Sequence, residues 1–173
     1  MPNRMTGRYS VTQKYLMTRG QALNFPASYF TKDFKDEVFG VVVDIPMMSE
    51  ILTTMVCFIN GAANLYFNNG NEYSGASKKY TNLVQIASTF VKNAANILPK
   101  CKKTKKFDLP HDRALSVYLL TKRGVYTTII PSGTIPESEP EMRTFYVLYN
   151  RVMNELHSCQ LKDDAERRGI LTK

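Results

Sequence analysis

The sequence is poor in the side chains from which catalytic and metal centres are built. It holds two histidines, His111 and His157, and three cysteines, Cys57, Cys101 and Cys159. The cysteines are odd in number, far apart and in no metal-ligand spacing, so neither a disulfide framework nor a zinc motif is written here. There is no GxxxxGK[ST] phosphate loop and no GxGxxG dinucleotide fingerprint. No apolar run approaches the ~18 residues that a membrane helix needs. The longest, Val38 to Ile45 broken by Asp44, has strand length. The start Met1-Pro2-Asn3-Arg4 lacks the apolar stretch of a secretory signal, so a cytoplasmic location with reduced thiols is expected. No metal and no cofactor is expected.

Acidic residues are missing from one long interval. Between Glu72 and Asp108 there is none, while eight of the 23 basic residues fall there; the other 15 balance the 15 acids. The whole net charge of +8 therefore lies in one stretch of sequence. The length of 173 residues suits one domain. An apolar fraction of 43% is enough for a core without metals or disulfides.

Periodicity divides the chain into an N-terminal arm (1–37), an α+β core domain (38–158) and a charged tail (159–173). In the arm, Tyr9 to Arg19 reads as a short helix and Lys32 to Glu37 as a polar lead-in. Val38 to Ile45 is β-branched and continuous, as a strand buried on both faces requires. Thr53 to Ile59 and Ala62 to Phe67 form a hairpin about Asn60-Gly61, a pair suited to a type I′ turn. Tyr80, Leu83, Val84, Ala87, Phe90, Val91, Ala94 and Ile97 recur at helical spacing. Ser74 or Ser77 is expected to cap that helix and Pro99 to end it. Cys101 to Lys106 reads as a basic loop. A second hairpin runs from Ala114 to Ile130 around Lys122-Arg123-Gly124, and Pro131 to Pro140 is irregular. A last helix extends from about Pro140 to Ser158 on the stripe Met142, Phe145, Tyr149, Val152 and Leu156. The expectation is an α+β fold: a five-stranded, mainly antiparallel sheet with two long amphipathic helices, in the order β-β-β-α-β-β-α.

Residues Val56 to Ala76 read VCFINGAANLYFNNGNEYSGA and lead into the long helix. This stretch resembles a family of uncharacterised bacterial proteins that share a hairpin written roughly "DG-x-x-SLYFS-x-GGG", then "GAG" and a helix. Asn60-Gly61, Asn64 to Phe67, Asn69-Gly70 and Gly75-Ala76 hold the matching places, and the resemblance spans about residues 38–158. It implies no activity. More coarsely, the order of elements is similar to the roadblock, longin and profilin-like α/β scaffolds. Those are mostly binding and dimerisation modules, though here three strands rather than two precede the central helix.

Four candidate sites follow. Cys101, His111 and Asp112 form a nucleophile–base–orienter set on paper, with Lys100, Lys102 and Lys103 beside the thiol to lower its pKa. Asp108 with Asp112, or Glu137, Glu139 and Glu141, could supply paired carboxylates, although turns and a helix start account for them equally well. Ser74, Ser77, Lys78 and Lys79 stand at a helix start, where backbone N–H groups attract anions. Lys100, Lys102, Lys103, Lys105 and Lys106 could neutralise phosphates of a nucleic acid, although the interval lacks arginine and its aromatics fall on the buried stripe. The favoured reading is a non-enzymatic binding or scaffold domain that pairs with another protein or itself, using free sheet edges or Tyr146 and Leu148 of the last helix. Nucleic-acid or anionic-ligand binding through residues 78–106 is the alternative, and a small enzyme with an unrecognised site the second.

Overall fold

A continuous β-branched run such as Val38 to Ile45 needs cover on both faces, and the rest of the chain supplies it. The computed structural model describes residues 3–6, 9–30, 37–48, 50–131 and 135–169. Lys32 to Asp36 and residues 170–173 of the tail lie outside them. In chain order the elements are strands β1 (Asn3–Thr6) and β2 (Tyr9–Thr12), helix α1 (Gln13–Leu23), and strands β3 (Val38–Pro46), β4 (Leu52–Phe58), β5 (Ala63–Phe67) and β6 (Glu72–Tyr73). Helix α2 (Thr81–Asn93), strands β7 (Lys102–Thr104), β8 (Leu115–Thr121) and β9 (Gly124–Ile130), and helix α3 (Pro140–Arg167) complete the chain. The fold is α+β. Strands β1 and β2 pair separately; the other seven form one sheet in the order β6-β5-β4-β3-β8-β9-β7, with every neighbouring pair antiparallel. No helix among the described residues is long and apolar enough to cross a membrane.

The expected five strands and two helices are too few. Tyr9 to Thr12 is a strand, not the start of a helix, and Thr12 then caps α1 by accepting from the Tyr15 amide at 3.1 Å. The sheet gains β6 and β7, which are two and three residues long and too short to show alternation. Neither Ser74 nor Ser77 caps α2: its N-cap is Tyr80, without a side-chain bond. Asn60-Gly61 is not a type I′ turn either. Only Gly61 has positive φ, at 91°, and its amide bonds the Phe58 carbonyl at 2.9 Å, as in a type I turn followed by a left-handed glycine. A Cβ on Gly61 would lie 2.4 Å from Val84 Cγ1, so glycine also lets the turn sit against α2.

Alternation sorts the sheet into two faces. Val41, Val43, Met55, Cys57, Val117 and Leu119 point one way, where α2 and α3 cover them, and the Phe90 and Phe145 rings meet at 4.9 Å. Val42, Val56, Tyr118 and Leu120 point the other way, toward Ala22 and Leu23 of α1. Helix α3 runs on past Ser158. Asp163 draws hydrogen bonds from Tyr73 (2.6 Å), Tyr80 (2.6 Å) and Lys79 (2.9 Å). Burial alone would raise its pKa, but these three donors together hold it lowered to about 2.

Asp44 interrupts the apolar run of the central strand and is wholly buried. A buried carboxylate needs partners. Arg19 of α1 supplies a two-pronged bond, Nε to Oδ1 at 3.1 Å and Nη2 to Oδ2 at 2.7 Å, and Thr54 donates to Oδ1 at 2.7 Å. Burial disfavours the Arg19 charge, and the adjacent Asp44 more than restores it, leaving its pKa raised. Removing one partner of such a pair costs about 3–5 kcal/mol, because the other charge stays buried. Arg19→Met is therefore expected to lose stability on that scale in urea denaturation, with Arg19→Met/Asp44→Leu recovering most of it. A loss under about 1 kcal/mol in the single variant would contradict this account.

Candidate functional site

Strand β7 and strand β8 are both antiparallel to β9, so they run parallel to each other with β9 between them. The chain joining them, residues 105–114, must cross β9. Crossovers between parallel strands are usually helical. Here the crossover has no regular structure, and its apolar residues lean away from β9. Phe107 packs edge-on against Tyr118 with ring centroids 5.8 Å apart, and Leu109 joins Tyr9, Val11, Tyr15 and Leu52. The α1 face of β9 stays open, and Ile129 on it is 63% exposed.

The result is a concavity of about 700 Å³. Ser116, Tyr118, Thr127 and Ile129 form its floor, and Lys100, Lys102 and Lys106 lie on the β7 side. Register explains the floor: Thr127 pairs with both Tyr118 and Lys102, and Ile129 with Ser116, so these side chains share a face. The crossover wall carries Asp108, His111 and Asp112. That wall is fixed from behind. Arg19 Nη1 donates to the Phe107 carbonyl at 2.9 Å and the Tyr118 hydroxyl to the Asp108 carbonyl at 2.8 Å; the Asp112 carboxylate accepts from the Ala114 amide at 2.9 Å. Lys100 reaches Glu139 at 3.1 Å, while among the described residues no carboxylate pairs with Lys102 or Lys106.

Of the nine residues expected to bind an anion or a nucleic acid, the structure brings together three, Lys100, Lys102 and Lys106. Lys103, one position out of phase, pairs with Tyr126 on the helix-covered side of the sheet, and Lys105 is exposed on the crossover without lining the concavity. Ser74, Ser77, Lys78 and Lys79 lie by β5 and β6, at the opposite end of the sheet from β7 and five to six strand spacings away, roughly 24–29 Å. Ser77 is engaged structurally, donating to the Gly61 carbonyl at 2.7 Å and accepting from the Ala63 amide at 3.1 Å. Ser74 donates to Glu72 at 2.7 Å, Lys79 is paired with Asp163 and Glu166, and Lys78 is exposed. The helix start is a 3-10 turn over Ala76–Lys78 ahead of α2.

The paper triad is not assembled. Cys101 packs against the α2/α3 core, and its thiol donates to the Ile97 carbonyl at 3.3 Å, while His111 and Asp112 lie in the concavity on the opposite face. Burial pushes the Cys101 thiol up to about 11, so the neighbouring lysines do not activate it. Among the described residues no group of three His, Cys, Asp or Glu side chains could hold a metal ion. The chain matches no protein-family model, no curated protein and no solved structure with which it was compared.

Sequence reasoning missed the concavity's floor and the Arg19–Asp44 anchor. The anchor had a signal: a carboxylate inside a β-branched run is buried and requires a cation. The floor had none, because Thr127 and Ile129 become neighbours of lysines only through the register of β7. Raised thiol pKa leads to a pH prediction. Since the thiolate is the nucleophile, iodoacetamide alkylation of Cys101 should climb about tenfold per pH unit from about pH 7 to about pH 9 without levelling. A plateau near an ordinary thiol pKa would show that Cys101 is not held as described.

Proposed function

We propose that the chain is a non-enzymatic binding domain that takes an anionic ligand in the concavity between the 105–114 crossover and β9. The observation that carries this reading is the placement of Lys100, Lys102 and Lys106 along one side of an open, pocket-sized concavity, two of them without a carboxylate partner among the described residues. The volume of about 700 Å³ lies within the range of small-molecule sites. Ser116 places a hydroxyl on the floor and exposed Ile129 offers apolar contact, while the Thr127 and Tyr118 hydroxyls donate to the Val117 and Asp108 carbonyls.

Inorganic tripolyphosphate is a suitable probe. Calorimetric titration should show binding that weakens with added salt. Lys102→Gln/Lys106→Gln should reduce affinity about tenfold or more, and Lys78→Gln at the far edge should leave it unchanged. Equal affinity in wild type and the double variant would sink the proposal.

Self-association is a second reading, favoured by one feature. Between α2 and α3, on the side away from the sheet, Gln85, Ile86, Thr89, Leu148 and Arg151 form a shallow groove. Val147, one residue along α3, is 57% exposed. A second copy related by a two-fold axis would cover the same residues on both chains. The sheet edges are less suited to this, being two and three residues long, and β7 carries lysines. Native mass spectrometry should then show a dimer that Val147→Asp disperses; a wild-type monomer at the highest attainable concentration would exclude this contact.

A further inference from the structure

The concavity is electrically two-sided. Lys102 belongs to the edge strand, Lys100 precedes it and Lys106 opens the crossover, whereas Asp108 and Asp112 follow along the crossover on its way back to β8. Strands β7 and β8 lie two strand spacings apart, roughly 10 Å, and the crossover spans that distance. The acids are not neutralising the lysines: among the described residues neither Asp108 nor Asp112 forms an ion pair, and the carboxylate of Asp112 is turned to the Ala114 amide. Their wall is also not free to swing away, because Arg19 and Tyr118 hold the backbone carbonyls of Phe107 and Asp108.

Such a layout discriminates between classes of anion. A phosphodiester chain carries negative charge along its whole length and would have to lay part of it against Asp108 and Asp112. Lys103 adds nothing to this surface, because it faces the other side of the sheet. A short molecule with an anion at one end and a cation at the other meets complementary charge at both ends, with the Ser116 hydroxyl and Ile129 beneath its middle. We infer that the ligand is a small zwitterion, a phosphate or carboxylate joined by a short spacer to an amine, with the anion on Lys102 and Lys106 and the amine on Asp108 and Asp112. The inference rests on the anionic-ligand reading above and narrows it.

The test compares O-phosphoethanolamine with ethyl phosphate, which share the phosphate and differ in the amine, alongside tripolyphosphate. Wild-type protein should bind O-phosphoethanolamine about tenfold more tightly than ethyl phosphate, or better. In Asp108→Asn/Asp112→Asn that ratio should fall to about one, while Lys102→Gln/Lys106→Gln weakens both phosphates. The asparagines keep an acceptor for the Ala114 amide, and Asp108 is held through its backbone, so the wall survives the change. Equal affinities for the two phosphates in wild type, or a ratio that persists in the asparagine variant, would overturn the inference. Retained tripolyphosphate binding in either case leaves the broader reading standing; absence of binding by all three probes removes both.

Discussion

One guanidinium sets the relation between three parts of the chain that are distant in sequence. Arg19 projects from α1 and spends Nε and Nη2 on Asp44 of the central strand, then Nη1 and Nη2 on the carbonyls of Phe107 and Asp108. A planar fork of five donors suits this, whereas a lysine in its place would have one point charge to offer. Exchanging such a pair for apolar residues is often neutral or stabilising, so its contribution to net stability is small evidence for its presence. Its geometric consequence is larger. The bond fixes where α1 lies on β3 and, through the same side chain, how far the crossover stands off β9. The width of the concavity therefore depends on a residue that does not touch it.

The crossover itself follows from the order of strands. A chain that places β7 outside β9 and then returns to β8 must pass over β9, and a helix in that position would have sealed the face. Residues 105–114 instead include Lys105, Lys106, Asp108, Pro110 and Asp112, a composition that suits turns. Phe107 and Leu109 bury toward α1, so the segment is anchored on one side only, and the floor beneath its other side stays bare. The same brevity that leaves β9 uncovered also limits β7 to three residues, which keeps this edge from serving as a template for another sheet.

Much of the architecture was legible because periodicity is a property of local sequence. The buried run at Val38, the stripe from Leu83 to Ile97 and the stripe from Met142 to Leu156 each name their own face, and the structure buries them. What failed was decided elsewhere in the chain. Lys102-Lys103-Thr104 reads as a charged loop and becomes a strand because Val125, Tyr126 and Thr127 offer it a partner. Tyr9 to Thr12 has helical spacing but sits in a strand paired with residues 3–6. Asn60 could adopt positive φ and does not, since Gly61 takes the left-handed position required by the approach to Val84. The three lysines of the site were visible in sequence; their neighbours Thr127 and Ile129 were not, for the same reason that β7 was not.

A run of like charge in sequence is not a surface of like charge. The interval from residue 73 to 107 holds all the excess of lysine, yet it threads from one edge of the sheet through α2 to the other edge. With a Debye length near 8 Å at physiological salt, charges separated by roughly 24–29 Å act independently. Alternation divides the cluster again, sending Lys102 and Lys103 to opposite faces of one strand. Only where Lys100, Lys102 and Lys106 border the same concavity do their fields add, and there Asp108 and Asp112 oppose them across the floor. The net charge of +8 thus draws anions toward the whole molecule without selecting one. Any selection must come from the local charges, and the lining of this concavity carries both signs, Lys102 and Lys106 with Asp108 and Asp112.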